Sequence, residues 1–131
     1  MADYTKLNLK RDVEDMAPKF QLSPGLESHF ARKPLGLQNS GVTLYKVAPD
    51  FRTPFGHRHS EQEEIYIIVG GSARLKLDDD IIDLEQWDAV RIPADTMRGL
   101  EGGPEGAEVI AFGAPNNDNK DAEMVPGWWS E

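Results

Sequence analysis

Between Gly41 and Ala114 the chain is a succession of short β-branched and apolar stretches, each cut off by Pro, Gly or Asp before it could complete a stable helix. Gly41–Val47 stops at Pro49, and Ala89–Ile92 stops at Pro93. Ser72–Leu77 alternates cleanly, with Ala73, Leu75 and Leu77 on one face and Ser72, Arg74 and Lys76 on the other, the period-two signature of a half-buried strand. Asp78-Asp79-Asp80 follows and reads as a hairpin turn into Ile81–Leu84; it lacks the spaced ligands of a calcium loop. Glu64–Val69 is apolar on both faces after its first residue, as expected for a strand covered on both sides. Met97–Leu100 is short, and Gly102-Gly103-Pro104-Glu105-Gly106 reads as a turn into Ala107–Phe112. Six or more short strands at close spacing, with little helix, predict an all-β class, an antiparallel sandwich or a jelly roll.

The flanks differ. Residues 1–40 read as an irregular N-terminal arm, with a short helix near Asp12–Met16 and then Pro18, Pro24, Gly25, Pro34 and Gly36 breaking regularity. Residues 115–131 form a polar tail ending in Gly127-Trp128-Trp129, whose indoles predict packing on the barrel or on a neighbouring subunit. At 131 residues, 39% of them hydrophobic, the chain is expected to form one domain with a core of its own. It has no apolar run of membrane-spanning length and no signal-peptide pattern at Met1, so the expectation is a cytoplasmic protein without membrane contact. The absence of cysteine removes disulfides, thiolate nucleophiles and Cys-based zinc sites. A net charge of -9 argues against a nucleic-acid partner, because phosphate backbones demand clustered Lys and Arg.

Chemistry concentrates in His57-Arg58-His59-Ser60-Glu61-Gln62-Glu63-Glu64. Histidines one residue apart lie on the same face of a strand, and a short turn brings Glu64, at the head of the next strand, beside them. Neutral imidazoles plus a carboxylate suit Fe, Mn, Ni, Co or Zn rather than Ca or Mg. Tyr66 and Ile68 share the face of Glu64 and should line the pocket, Tyr66 either offering its hydroxyl to a ligand or packing in the core. Glu61 and Gln62 read as solvated turn residues, and Arg91 as a cation for a surface salt bridge or an anion.

The run resembles the first motif of the cupin superfamily, G-x5-H-x-H-x(3,4)-E-x6-G. His57, His59, Glu64 and Gly71 satisfy it, while Phe51 stands at the leading Gly. Glu63 is an alternative under the shorter spacing, set aside because Glu64 leaves six residues before Gly71. The second cupin motif, G-x5-P-x-G-x2-H-x3-N, aligns on Pro93 but is degenerate: Trp87 and Asp95 replace its glycines, Gly102 its Asn, and Arg98 its histidine ligand. The resemblance implies a double-stranded β-helix barrel over residues 41–114, commonly a homodimer. It also implies a pocket for a small polar or anionic molecule, serving metal-dependent oxygenation or isomerisation where it is catalytic.

Arginine has no acceptor and stays protonated, so Arg98 cannot ligate a cation. Two arrangements remain open. His57, His59 and Glu64 can form a facial triad for a divalent transition metal, with Arg98 holding an anionic substrate beside it. Alternatively Arg98 fills the fourth-ligand position, pairs with Glu64, and the protein is a metal-free, non-catalytic ligand-binding cupin. His29, the remaining histidine, has no spacing that ties it to the site.

Overall fold

The computed structural model describes residues 1–130. Its strands are β1 (Leu26–Phe30), β2 (Gly41–Val47), β3 (Phe55–His59), β4 (Glu63–Leu77), β5 (Asp80–Leu84), β6 (Ala89–Ile92), β7 (Arg98–Ala114) and β8 (Ala122–Pro126). All strand pairings are antiparallel. Two long strands organise them. The first half of β4 and the second half of β7 pair with each other and with β6 and β2, and β1 closes that layer. The second half of β4 and the first half of β7 pair with β5 and β3, and β8 forms the far edge of the second layer. The barrel is thus a jelly roll whose two layers share their central strands. Among the described residues no helix is long and apolar enough to cross a membrane.

The sharing of β4 and β7 corrects the strand count expected from sequence. Gly70-Gly71 does not end a strand, and residues 102–106 do not make a turn. Gly71 pairs with Ala107 and Ala73 with Gly102, so residues 103–106 bulge out against Ser72 alone. Glycine makes this bend feasible: Gly71 and Gly106 have φ of 66° and 80°, and a Cβ on Gly71 would run into the Gly106 carbonyl.

The inward residues of both layers form one apolar cluster, centred on Ile68, Leu75, Ile92 and Val109, with Tyr66, Ala73, Leu84, Leu100, Ala107 and Ala111 around them. Asp78 and Asp79 form the turn between β4 and β5, and Asp78 caps it by accepting the Met97 N–H at 3.0 Å.

Both flanks hold more order than their composition suggests. The arm expected to be irregular contributes β1, paired along its length with β2. No helix covers Asp12–Met16; Asp15 instead bridges to His29, and a short 3-10 turn spans Ala17–Phe20. His29 is buried on β1, with Nδ1 2.8 Å from the Val13 carbonyl, so it fastens the arm and lies apart from the pocket. The tail contributes β8, which pairs with the histidine strand β3. Trp128 lies across Gly56, where any Cβ would meet its ring, and Trp129 is buried beneath the Arg52 guanidinium, 4.3 Å from the ring centroid. The small residue before His57 is therefore a seat for the tail.

Candidate functional site

The site lies between the two layers at one end of the barrel. His57 and His59 project inward from β3 because alternate residues share a face, and their rings meet edge to face with centroids 5.3 Å apart. Arg98 opens β7 directly opposite His57 in register. Glu64, the second residue of β4 in the facing layer, reaches across to all three. Its Oε1 lies 3.5 Å from His57 Nε2, 3.6 Å from His59 Nε2 and 2.9 Å from Arg98 Nη1. Only the last of these is a hydrogen bond.

Arg98 is completely buried. Besides Glu64 it donates from Nη2 to the Pro93 carbonyl at 2.8 Å, with Ala94 O at 3.4 Å, so the second-motif proline turn holds the guanidinium in place. Its Nε–H has no partner. The structure therefore brings together His57, His59 and Glu64, whose strand spacing put them on converging faces, and Arg98, which the alignment on Pro93 set among them; it places Arg98 against the carboxylate.

Tyr66 follows Glu64 on the same face of β4 and is buried. Burial and the negative Glu64 push its hydroxyl well above the ordinary tyrosine range. It stays a neutral donor at any physiological pH. Tyr45 on β2, half-buried and facing the same interior, is raised for the same reasons.

A residue that sequence reasoning missed completes the cluster. Asp121, just before β8, places Oδ1 3.0 Å from His59 Nδ1, with side chains only 4% and 2% exposed. Its Oδ2 accepts the backbone N–H groups of Glu61 and Gln62, each at 3.0 Å. Nothing distinguishes this aspartate within Asn116-Asn117-Asp118-Asn119-Lys120-Asp121; only the pairing of β8 with β3 brings it inside. Gln62, expected in solvent, is buried against Gly113 because this turn folds inward. Glu61 is exposed, as read; Glu63 and Arg91 are exposed too, which leaves Glu64 as the inward carboxylate.

The charges tune one another. Burial alone would raise the Glu64 carboxyl, but the facing imidazoles and Arg98 outweigh it and bring it down to about 2. Burial lowers His57, Glu64 notwithstanding. At His59 burial also acts downward, but Glu64 and Asp121 together overcome it and raise the ring. Asp121, despite its own desolvation, is lowered to about 2 by His59 and the two backbone donors.

A divalent ion fits the donor set. The ligand atoms of His57, His59 and Glu64 all lie within 4.8 Å of one another. His59 Nε2 is buried without a hydrogen-bond partner. A metal-binding imidazole characteristically offers one nitrogen while a carboxylate holds the other, as Asp121 does here.

A barrel of two antiparallel layers with imidazoles, a carboxylate and an arginine at one mouth has the fold of the cupin superfamily. Solved structures bear this out. A cupin protein from Bacteroides fragilis is 21% identical, with 90% of this chain and 89% of that one covered at a TM-score of 0.71. KdgF from a Halomonas species is 19% identical over 91% of this chain and 98% of its own, at 0.69. Streptomyces Pac13, in a variant form with uridine, is 16% identical over 96% and 93%, at 0.74; Pac13 is described as a nucleoside dehydratase. No family model matches the chain. No curated protein matches its sequence.

Proposed function

We propose that this chain is a small-molecule cupin whose pocket holds a divalent transition metal (Fe, Mn, Ni, Co or Zn) on His57, His59 and Glu64. The observation that carries this reading is the buried, unpartnered Nε2 of His59, backed by Asp121 on its other nitrogen. An imidazole so held, next to a second imidazole and a carboxylate, is arranged as a ligand. Such an ion, when bound, supplies Lewis-acid polarisation of a substrate oxygen. Arg98 sits beside Glu64 as a fixed cation, and Tyr66 stands on the same face as a neutral hydrogen-bond donor.

The charge balance indicates the ligand class. Arg98 is cationic, and Glu64 and Asp121 are anionic, so a dication leaves the cluster with an excess of positive charge. A small anionic molecule, such as a carboxylate, neutralises it. Neighbours of this fold include proteins named for turnover of small molecules, among them the nucleoside dehydratase and a sugar phosphate isomerase.

A second reading is favoured by one distance: Arg98 Nη1 lies 2.9 Å from the same Glu64 oxygen that faces both imidazoles. In that reading the guanidinium takes the place of the ion, and the protein binds its ligand without metal or turnover. Elemental analysis of protein purified without chelator separates the two. Stoichiometric transition metal that disappears in His57→Ala supports the triad; absence of metal even after reconstitution with each candidate ion overturns it. Arg98→His, which restores a ligand at the motif position, should raise zinc affinity at least about tenfold. Unchanged affinity would show that Arg98 does not compete for the site. A homodimer belongs to the same proposal: Ile65 and Phe112 pair on the outer face and are both exposed, and sedimentation velocity reads whether two copies associate.

A further inference from the structure

Among the described residues of the C-terminal segment, Asp121 behaves unlike its acidic neighbours. Asp118 and Glu123 stay about half exposed and pair with Arg32 and Arg58 at the surface. Asp121 instead turns inward, and both of its oxygens are committed. Oδ2 takes the two backbone N–H groups of the Glu61–Gln62 turn, which fixes the carboxylate plane and leaves Oδ1 to face His59 Nδ1.

A carboxylate can only accept, so the proton of a neutral His59 ring must reside on Nδ1. Nε2 is then a bare lone pair inside the pocket, which agrees with its burial, its lack of a partner and its 3.6 Å separation from Glu64. The position of Asp121 is itself set by the tail. β8 runs antiparallel to β3 with Ala122 opposite His59 and Met124 opposite His57; Ser60 N–H bonds the Asp121 carbonyl at 3.2 Å; Trp128 covers Gly56.

We infer that Asp121 is a positioning residue that fixes His59 as an Nε2 donor, and that docking of the C-terminal strand thereby completes the pocket. The site is not self-sufficient on residues 41–114; the carboxylate that orients His59 arrives from the tail. This deepens the metal reading above, on which the affinity measurement rests, while the tautomer measurement stands without it.

The test uses the full-length chain and Asp121→Asn. The amide oxygen can keep the Glu61 and Gln62 N–H bonds, which turns its NH2 toward His59 and reverses the tautomer. Imidazole 15N spectra of the metal-free native protein, in alkaline buffer where the ring is neutral, should show His59 protonated on Nδ1, and D121N should show it protonated on Nε2. Zinc affinity of D121N, by titration with zinc alone, should fall by about 10- to 100-fold. Glu123→Gln, which loses an exposed pair on the same strand, should leave both readouts unchanged. An Nε2-protonated His59 in the native protein overturns the inference, and that spectrum decides even if D121N fails to fold. Zinc binding by folded D121N within about twofold of native overturns it too. A native protein that is Nδ1-protonated but binds no metal sinks the metal reading and leaves the positioning role standing.

Discussion

The inward face of β4 carries Glu64, Tyr66 and Ile68 in succession, so one strand passes from an ionic cluster to a dry core within five residues. The two ends stabilise the barrel by opposite rules. At the Ile68 end, Leu75, Ile92 and Val109 are fully buried, and an apolar side chain of matching volume would serve. At the Glu64 end, each polar atom needs a particular partner, and some lack one: His59 Nε2 and Arg98 Nε are both buried without hydrogen bonds. Trp129 Nε1, under Arg52, is also buried without a partner, but among the described residues only at the Glu64 end do two side chains with such atoms face one carboxylate. Uncompensated polar atoms are costly to bury.

Removing one member of the ionic cluster should therefore cost the most. Glu64→Ala leaves the fully buried Arg98 without its carboxylate and is expected to lose about 3–5 kcal/mol in urea unfolding of metal-free protein. Replacing both partners by apolar residues, Glu64→Leu with Arg98→Met, should recover most of that loss. A Glu64→Ala cost below about 1 kcal/mol would mean that the guanidinium reaches water, and would break the contrast between the ends. The sign with pH follows from the depressed carboxyl. Glu64 titrates at about 2 in the folded chain against 4.5 ordinarily, so its stabilisation is complete above 4.5 and drains away as pH falls toward 2. The Leu/Met double variant should lose this part of the acid sensitivity.

Ile68→Ala probes the other end. It opens a cavity among Leu75, Ile92 and Val109 and should cost about 3 kcal/mol, within the usual range for such truncations. Being apolar, this loss should not vary with pH, and zinc titration should give native affinity. A drop in zinc affinity would sharpen the comparison differently, by showing that core packing sets the position of Glu64 two turns of the pleat away.

How much of this was legible in the sequence follows from the same division. Alternation over Ser72–Leu77 and the apolar run after Glu64 revealed the core strands, because burial writes a local period. The spacing of His57, His59 and Glu64 revealed their cluster, because strand geometry fixes which faces converge. Alignment on Pro93 even placed Arg98 in it. What stayed hidden depended on distant chain. The continuity of β4 and β7 is maintained by pairing across the bulge at residues 103–106, where Gly and Pro mimic a turn. β1 and β8 are single edge strands whose order comes from their neighbours β2 and β3. Asp121 has no local signature at all, since its role exists only once β8 lies against β3. Gln62 was misplaced for the same reason: the turn that holds it is folded in by Asp121.

The smallest effect tests whether ion pairing as such, or its burial, separates the pocket from the rest. Arg74 and Asp83 sit opposite each other on β4 and β5, with Nε to Oδ1 at 3.1 Å, a distance close to that between Arg98 and Glu64. Their side chains, however, are 53% and 83% exposed. Water already solvates both charges, so the pair is expected to contribute less than about 0.5 kcal/mol and to weaken further with salt. Arg74→Ala should accordingly change the urea midpoint very little, with no change in zinc affinity. The same arginine–carboxylate chemistry then differs severalfold between the two sites through desolvation alone. If Arg74→Ala instead costs as much as Glu64→Ala, burial is not what distinguishes the Arg98 pair, and the cost at the pocket must arise from lost cross-strand packing of the long side chains.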